Sequence, residues 1–212
     1  MASGLTLDGF LATVADGTPS PGGGAAAAVT AALAAALTAM VGRLALARAE
    51  EGRRAGLDQL VQGADALRLQ LVELAARDAA AYAAVLEARR SHEGGEAARD
   101  ARLMGAWREA TRVPATVIRL TREVAMLARR TAKEGPASAQ GDALMAALLA
   151  RDEAQGAALA VIDLATAGLE IAAAVAALRA MPSKPAVIAF GPHVHEGRLA
   201  AAREAGCDAV LS

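Results

Sequence analysis

Residues 25–41 form an apolar run in which ten of the 17 residues are alanine and most of the others are larger apolar side chains. Alanine has the highest helix propensity of the amino acids, and its small side chain lets a neighbouring backbone approach closely. Hydrophobic residues make up 55% of the chain but aromatic residues only 2%, so alanine, leucine and valine carry the apolar fraction. The sequence therefore predicts closely packed helices rather than a sheet filled with aromatic side chains.

Apolar residues recur at helical spacing through most of the first 155 residues. The predicted helices cover residues 5–15, 25–48, 55–90, 97–133 and a segment that begins near Asp142. Pro114 lies inside the fourth helix and removes one backbone hydrogen bond, so we expect a kink or a break there. The predicted fold class is mainly α.

The pattern changes after residue 155. Apolar runs that are typical of buried strands cover 158–165, 186–190 and 207–212, and helical patterns cover 168–180 and 196–206. Strands that alternate with helices indicate a parallel α/β arrangement. We therefore expect two domains, an all-helical domain over 1–155 and a small C-terminal strand-helix-strand-helix-strand segment over 156–212.

The charge balance limits the class of partner. The chain has 22 Lys and Arg against 23 Asp and Glu, a net charge of -1, whereas nucleic-acid-binding proteins normally carry a basic excess. The single cysteine, Cys207, allows no intrachain disulfide, and the N-terminus has no basic segment typical of a secretory signal. The run over 25–41 is short for a membrane span. We expect a cytoplasmic protein with no nucleic-acid or membrane partner.

Asp78 is the first candidate for a catalytic group. It lies in the middle of a predicted helix, between Ala75-Ala76 and Ala79-Ala80-Ala81. A carboxylate among alanines is poorly solvated, which raises its pKa and suits a general acid or base near neutral pH. The alternative is a solvated side chain that pairs with a neighbouring arginine.

Further candidates lie in a glycine loop and at two helical positions. Pro21, Gly22, Gly23 and Gly24 precede a helix, where free amides favour anions; the alternative is a simple turn with Ser20 or Thr18 near the cap. Tyr82 lies one turn after Asp78, on the same face. It either hydrogen-bonds that carboxylate or packs in the core with its hydroxyl at the surface.

Asp142 follows Gly141 at a predicted helix start, where it either caps the helix or belongs to a site. His193 and His195 form a His-x-His pair, but two imidazoles without further ligands do not make a zinc site. No metal is therefore predicted.

Four motifs occur in order along the helical part. They are Thr18-Pro19-Ser20-Pro21-Gly22-Gly23-Gly24 before a helix that ends Met40-Val41-Gly42, Arg77-Asp78-Ala79-Ala80-Ala81-Tyr82, Glu109-Ala110-Thr111-Arg112-Val113-Pro114, and Gly141-Asp142. Together they resemble the cyclodeaminase/cyclohydrolase family of folate enzymes over most of residues 5–150.

The resemblance implies a bundle of long antiparallel helices that forms a homodimer, with a folate site in a groove near the dimer interface. Two reactions are implied: loss of ammonia from 5-formiminotetrahydrofolate with ring closure to 5,10-methenyltetrahydrofolate, or hydrolysis of 5,10-methenyltetrahydrofolate. A tetrahydrofolate derivative would then be the substrate.

The same resemblance implies roles for individual residues. Asp78 would be the general acid or base, and the loop 21–24 and Asp142 would help to form the site. Tyr82 would stack on the pterin ring, and Arg43 and Lys133 would meet the glutamate tail, because basic side chains bind carboxylates.

The C-terminal segment resembles the second half of a response-regulator receiver domain. Asp163 ends the first predicted strand of this segment, where the phospho-acceptor of a receiver would lie. The acidic pair on the first strands of a receiver is absent. An alternative function is therefore a catalytically inactive helical scaffold with a receiver-like interaction tail.

Overall fold

The structure is a computed structural model that describes residues 6–91, 95–155, 159–165, 169–180, 185–192 and 194–211. The chain divides into two compact units, Met1–Ala154 and Gln155–Ser212, called here the helical unit and the α/β unit. The helices are α1 (Leu7–Ala15), α2 (Gly23–Leu46), α3 (Glu51–Arg90), α4 (Gly95–Glu134), α5 (Gln140–Gln155), α6 (Ile171–Arg179) and α7 (Glu196–Glu204). The strands are β1 (Leu159–Asp163), β2 (Ala186–Phe190) and β3 (Ala209–Leu211).

The long helices run antiparallel in chain order. Near its start α2 meets α3 where Gly24 faces Asp78, and near its end it meets α3 where Gly42 faces Leu60 and Val61. In the same way Gly56 on α3 faces Arg130 on α4, whereas Arg77 further along α3 pairs with Glu109 earlier on α4. The predicted fold class, a mainly α bundle of long antiparallel helices with a small α/β segment, is confirmed.

Alanine builds the core between α2 and its neighbours. The buried side of α2 is lined mainly by residues with one methyl group, and α3 and α4 add leucine and valine, among them Leu71, Val113 and Val117. Because the side chains on α2 are small, the neighbouring helices pack close to it. The leucine and valine side chains of α3 and α4 fill the space that remains.

Pro114 lies inside α4, which continues from Gly95 to Glu134 without ending there. The helix therefore does not break at Pro114, and the alternative of a kink stays a prediction. A proline inside a helix costs about 3 kcal/mol through the lost hydrogen bond and the ring clash. Val113 and Val117 on either side of it are buried in the core, and their packing offsets that cost.

The strands of the α/β unit are parallel in the order β1-β2-β3. Val161 lies opposite Ile188, and Ile188 lies opposite Ala209. The core of this unit contains Ile162, Val187 and Ala189 from the strands and Val175 and Leu199 from the helices. Each strand connects to the next through one helix, as the alternating pattern predicts.

Candidate functional site

Asp78 lies in the middle of α3 and meets the first turn of α2. At Gly24 an added Cβ would lie 2.3 Å from Asp78 Oδ1 and 2.7 Å from Oδ2, closer than real Cβ atoms approach. Gly24 therefore has to be glycine for the carboxyl group to occupy this place. The neighbouring Gly23 has open space around its Cβ position, so the constraint is specific to Gly24.

The first turn of α2 uses Asp78 as a hydrogen-bond acceptor. Its N-cap is Gly22, which offers no side-chain cap, although free N–H groups at a helix start need acceptors. The N–H of Ala25 donates to the Asp78 carboxylate. The glycine loop thus brings a free helix end to Asp78.

Ser20 connects the glycine loop to α3 beside Asp78. Its Oγ donates to the carbonyl oxygen of Ala79 at 3.3 Å, and Thr18 Oγ1 donates to the carbonyl of Ser20 at 3.2 Å. Ser20 lies two residues before the Gly22 N-cap, and neither Ser20 nor Thr18 gives α2 a side-chain cap. Ser20 instead holds the loop, and with it Pro21 and Gly22, against α3.

Burial raises the pKa of Asp78 above that of an ordinary aspartate, and the hydrogen bond from Ala25 opposes part of this effect. The carboxyl group is half-buried among small residues, as its alanine neighbours predict. The guanidinium of the adjacent Arg77 does not pair with it but with Glu109 on α4. Asp78 can therefore hold a proton at a higher pH than a solvated aspartate.

Glu109 joins α3 to α4 at the level of Asp78. Its Oε1 accepts from Arg77 Nη2 at 2.8 Å, and its Oε2 lies 2.6 Å from Arg112 Nη2. Hydrogen bonds from Arg77 and Arg112 lower the pKa of Glu109. Sequence reasoning assigned no role to this contact, although Arg77 and Glu109 both lie in motifs that carry the family resemblance. Their pairing is a tertiary contact that no spacing reveals.

Tyr82 lies one turn beyond Asp78 on α3 and is 36% exposed. A partly exposed ring fits either interpretation, a core aromatic with its hydroxyl at the surface or a side chain at the site, so the role of Tyr82 stays a prediction. The loop 21–24, Asp78 and Tyr82 are brought together at one end of α2. An acidic group, a free helix end and an accessible aromatic ring therefore lie along one side of α3.

Arg43, Lys133 and Asp142 lie at the other end of α2. Arg43 follows Gly24 by 19 residues, which is about 28 Å along a helix, and it pairs with Asp65 on α3. Lys133 follows Thr131, which packs near Gly42, and Asp142 precedes Ala143, which packs with Val41. A single chain therefore does not bring these three residues to Asp78.

Asp142 is exposed in the first turn of α5. A short 3-10 helix, Ala137–Ala139, leads directly into α5 at Gln140. The alternative that Asp142 caps this helix is therefore wrong, because the helix begins before it. Its carboxylate still lies at the positive end of the helix dipole, where an acidic side chain is favourable.

Among the described residues no group of three or more His, Cys, Asp or Glu side chains is placed to hold a metal ion. His193 lies outside the described residues, whereas His195 is exposed at the N-cap of α7. By length and composition α2 could span a membrane, but half of its apolar window is buried inside the structure, as in the core helix of a bundle.

Comparisons with known proteins agree with this arrangement. The profile of the formiminotransferase-cyclodeaminase family matches residues 6–179. A methenyltetrahydrofolate cyclohydrolase from Methylorubrum extorquens is 36% identical over 165 residues, which cover 76% of this chain and 79% of that protein. The crystal structure of a formiminotetrahydrofolate cyclodeaminase from Thermotoga maritima superposes with a TM-score of 0.63 at 32% identity, covering 72% of this chain and 74% of that one.

Proposed function

Since this chain belongs to the formiminotransferase-cyclodeaminase family, we propose that it is a folate-dependent one-carbon enzyme. It converts 5-formiminotetrahydrofolate to 5,10-methenyltetrahydrofolate with loss of ammonia, or hydrolyses 5,10-methenyltetrahydrofolate. The observation that carries the proposal is the half-buried Asp78 carboxyl group at the free start of α2. The chemistry of both relatives fits a single proton-transfer group at this place.

Asp78 is the general acid or base of this reaction. In cyclodeamination N10 attacks the formimino carbon, forms a new C–N bond and loses its proton. The C–N bond to the leaving nitrogen then breaks, and the departing ammonia takes up a proton that a protonated Asp78 can supply. In hydrolysis water adds to the methenyl carbon and loses a proton to the carboxylate, and one C–N bond of the bridge then breaks as its nitrogen takes up a proton. A raised pKa serves both directions, because the group is then partly protonated closer to neutral pH. The loop 21–24 and Tyr82 border the same space and would seat the pterin.

The first test replaces Asp78 with asparagine and follows the loss of the methenyl chromophore above its spontaneous hydrolysis. We expect turnover to fall by about 100-fold or more, the usual contribution of a general acid or base. Asp58→Asn is the matched control. Asp58 lies on the same helix, is exposed, and accepts a hydrogen bond from Gln62 one turn further along. Formiminotetrahydrofolate is the second substrate to try.

An Asp78→Asn protein with full activity would refute the catalytic role. A folded wild-type protein that acts on neither folate would refute the proposed function and favour the inactive scaffold with a receiver-like tail, built on the α/β unit. Circular dichroism of every variant separates lost chemistry from lost structure.

The protein acts as a cytoplasmic homodimer, and its α2 supports this part of the proposal. Leu33, Met40 and Leu44 on the outer side of α2 are 54%, 38% and 41% exposed, and α2 has no charged residue before Arg43. A helix that is apolar on every side is normally covered on every side. A second copy of this chain, packed against this face, would cover it.

A dimer also explains the separation of the predicted site residues. If two α2 helices pack antiparallel about a two-fold axis, the end of one copy that carries Arg43, Lys133 and Asp142 comes next to Asp78 of the other. Each of the two equivalent sites would then combine residues of both chains. The glutamate tail of the folate would extend toward Arg43 and Lys133.

Subunit complementation tests the shared site. Asp78→Asn and a variant with Arg43→Met and Lys133→Met are each expected to be weakly active alone. Refolded together, half of the dimers would be mixed, each with one intact site, and about a quarter of wild-type activity should return. Simple addition of the two separate activities would refute a site shared between copies. The same samples in sedimentation velocity give the oligomeric state.

A further inference from the structure

Arg77 and Asp78 are neighbours on α3 that contact different helices. Consecutive side chains on a helix point about 100° apart. Asp78 accepts from the Ala25 N–H of α2, whereas the Arg77 guanidinium bonds Glu109 on α4 at 2.8 Å. A positive charge is thus present one residue from the reacting group but is directed toward α4, whereas the carboxyl group is directed toward α2.

Glu109 is the anion that binds this guanidinium, and it also binds a second one. Arg112 Nε and Nη2 donate to the two carboxylate oxygens of Glu109 at 2.8 and 2.9 Å. These two arginines lower the pKa of Glu109, so it stays ionised through the neutral range. The three side chains together carry one net positive charge, and without Glu109 they would carry two.

We propose that Glu109 is a positioning residue for the reaction at Asp78, because it holds the Arg77 guanidinium against α4 and compensates the positive charge beside the reacting carboxyl group. This inference rests on the proposed function, since it concerns the same site. Glu109 acts through Arg77 and does not itself touch the substrate.

Few other charges are available to compensate Arg77 and Arg112. Between Gly23 and Gly42, α2 has no charged residue, and the glycine loop before it has none after Asp16. On α3 itself, Tyr82 lies one turn after Asp78, and the exposed carboxylate Glu73 lies one turn before Arg77. Asp8 and Asp16 belong to α1 and the turn after it, and Arg108 is the further charged residue beside Glu109 on α4.

Loss of the Glu109 charge should therefore act on Asp78 in a defined direction. Two uncompensated guanidinium groups favour the ionised carboxylate, so the pKa of Asp78 should fall. The pH at which the rate changes because Asp78 titrates should then become lower, whether Asp78 serves as acid or base. If burial alone set the pKa of Asp78, removing the Glu109 charge would leave this pH unchanged.

The experiment uses Glu109→Gln, which keeps a side-chain oxygen for Arg77 but removes the charge. The Asp78 carboxyl carbon is titrated by NMR in the full-length protein, with Asp78→Asn to assign the signal. We expect the midpoint to move down by about half a pH unit, as for a unit charge near a partly solvated group. The kcat/KM profile should move by the same amount.

Glu123→Gln is the matched control. Glu123 is also ion-paired on α4, with Arg119 at 2.8 Å. It lies 14 residues from Glu109, about 21 Å along the helix and beyond the Debye length of about 8 Å at physiological salt. Its replacement makes the same change in net charge and should leave the Asp78 titration unmoved.

A double variant decides whether the effect passes through Arg77. Arg77→Gln together with Glu109→Gln removes both charges and should return the Asp78 midpoint toward the wild-type value. An unmoved midpoint in Glu109→Gln, or a double variant that stays shifted, would overturn the inference. The NMR titration does not require activity. A protein inactive on both folates would therefore refute the proposed function, but the effect of Glu109 on the Asp78 titration could still be measured.

Discussion

In the helical unit several close contacts between elements are made at glycines. An added Cβ would lie 2.3 Å from Asp78 at Gly24, 2.9 Å from Val61 at Gly42 and 2.7 Å from Val41 Cγ1 at Gly135, the residue after α4. In the α/β unit the core consists mainly of leucine, isoleucine and valine side chains with alanine between them. Its connections are held by polar contacts, such as those of Arg179 with the carbonyl oxygens of Pro185 and Gly206.

This difference indicates how each unit responds to change. Close backbone contacts leave no room to add an atom, so the helical unit should be sensitive to larger side chains at its glycines. The α/β unit has one such contact among its described residues, at Gly191, where an added Cβ would lie 2.9 Å from Leu164 Cβ. It should also be sensitive to the loss of polar groups that hold its connections, because backbone carbonyls without partners are costly. The following variants test this contrast.

The largest effect is expected at Gly24. Gly24→Ala places a methyl group where the Asp78 carboxylate lies, so the carboxyl group must move. A displacement of about 1 Å can reduce turnover about 100-fold. Gly105→Ala on α4 is the control, because its Cβ would meet open space outside the glycine loop, and it should keep activity close to wild type. Equal activities of the two variants would show that the Gly24 contact does not position Asp78.

A stability effect is expected at Gly42. In Gly42→Ala the added methyl group would lie 2.9 Å from Val61 Cγ2 and 3.1 Å from Leu60 Cδ2. This crowding should lower the free energy of unfolding by about 1–3 kcal/mol. Gly63→Ala is the matched control within a helix. Its Cβ would make an ordinary 3.5 Å contact with Leu127, so it should raise stability by about 0.5–1 kcal/mol. Urea denaturation measures both, and a stabilised Gly42→Ala would contradict the contrast.

The smallest effect is expected in the α/β unit. Arg179→Met removes both carbonyl hydrogen bonds and the 2.9 Å ion pair with Asp208, and should weaken this unit by about 1 kcal/mol without changing turnover. Hydrogen exchange of peptides from 185–211 measures the change locally. Arg203→Met, at an exposed position on α7, is the control and should leave exchange unchanged.

The Arg179 effect should also depend on pH. Arg179 first, and then the N–H of Val187, lower the pKa of Asp208 below its usual range. The stabilisation by this carboxylate is therefore present above the pKa of an unfolded aspartate, near 3.9, and is lost as the pH falls through the folded value. The difference in stability between wild type and Arg179→Met should therefore become smaller in acid. If this difference stayed constant down to pH 2, the hydrogen bonds to the carbonyl oxygens alone would account for it.

The sequence predicted the elements of the α/β unit well because breakers border each of them. The predicted strand 186–190 coincides with β2, since prolines precede it and Gly191-Pro192 follows. The raised pKa of Asp78 followed from its alanine neighbours, which are local in the chain. These features depend on residues close in sequence, where spacing and composition are informative.

Features that depend on distant contacts were not predictable from this one sequence. The continuity of α4 through Pro114 depends on core packing by Val113 and Val117. Arg77 and Glu109 are 32 residues apart and meet only because α3 and α4 pair in one register. The separation of Arg43 and Lys133 from Asp78 follows from the length of α2, and motif order alone could not reveal it.

The hydrogen bond from the Ala25 N–H links the protonation state of Asp78 to how firmly the start of α2 is held. An ionised carboxylate accepts a hydrogen bond more strongly than a neutral acid. Each protonation of Asp78 therefore loosens the first turn of α2, and each deprotonation tightens it. The glycine loop carries no side-chain cap that would mask this change. If Asp78 is the proposed general acid or base, its proton transfers would loosen and tighten the first turn of α2 in the course of the reaction.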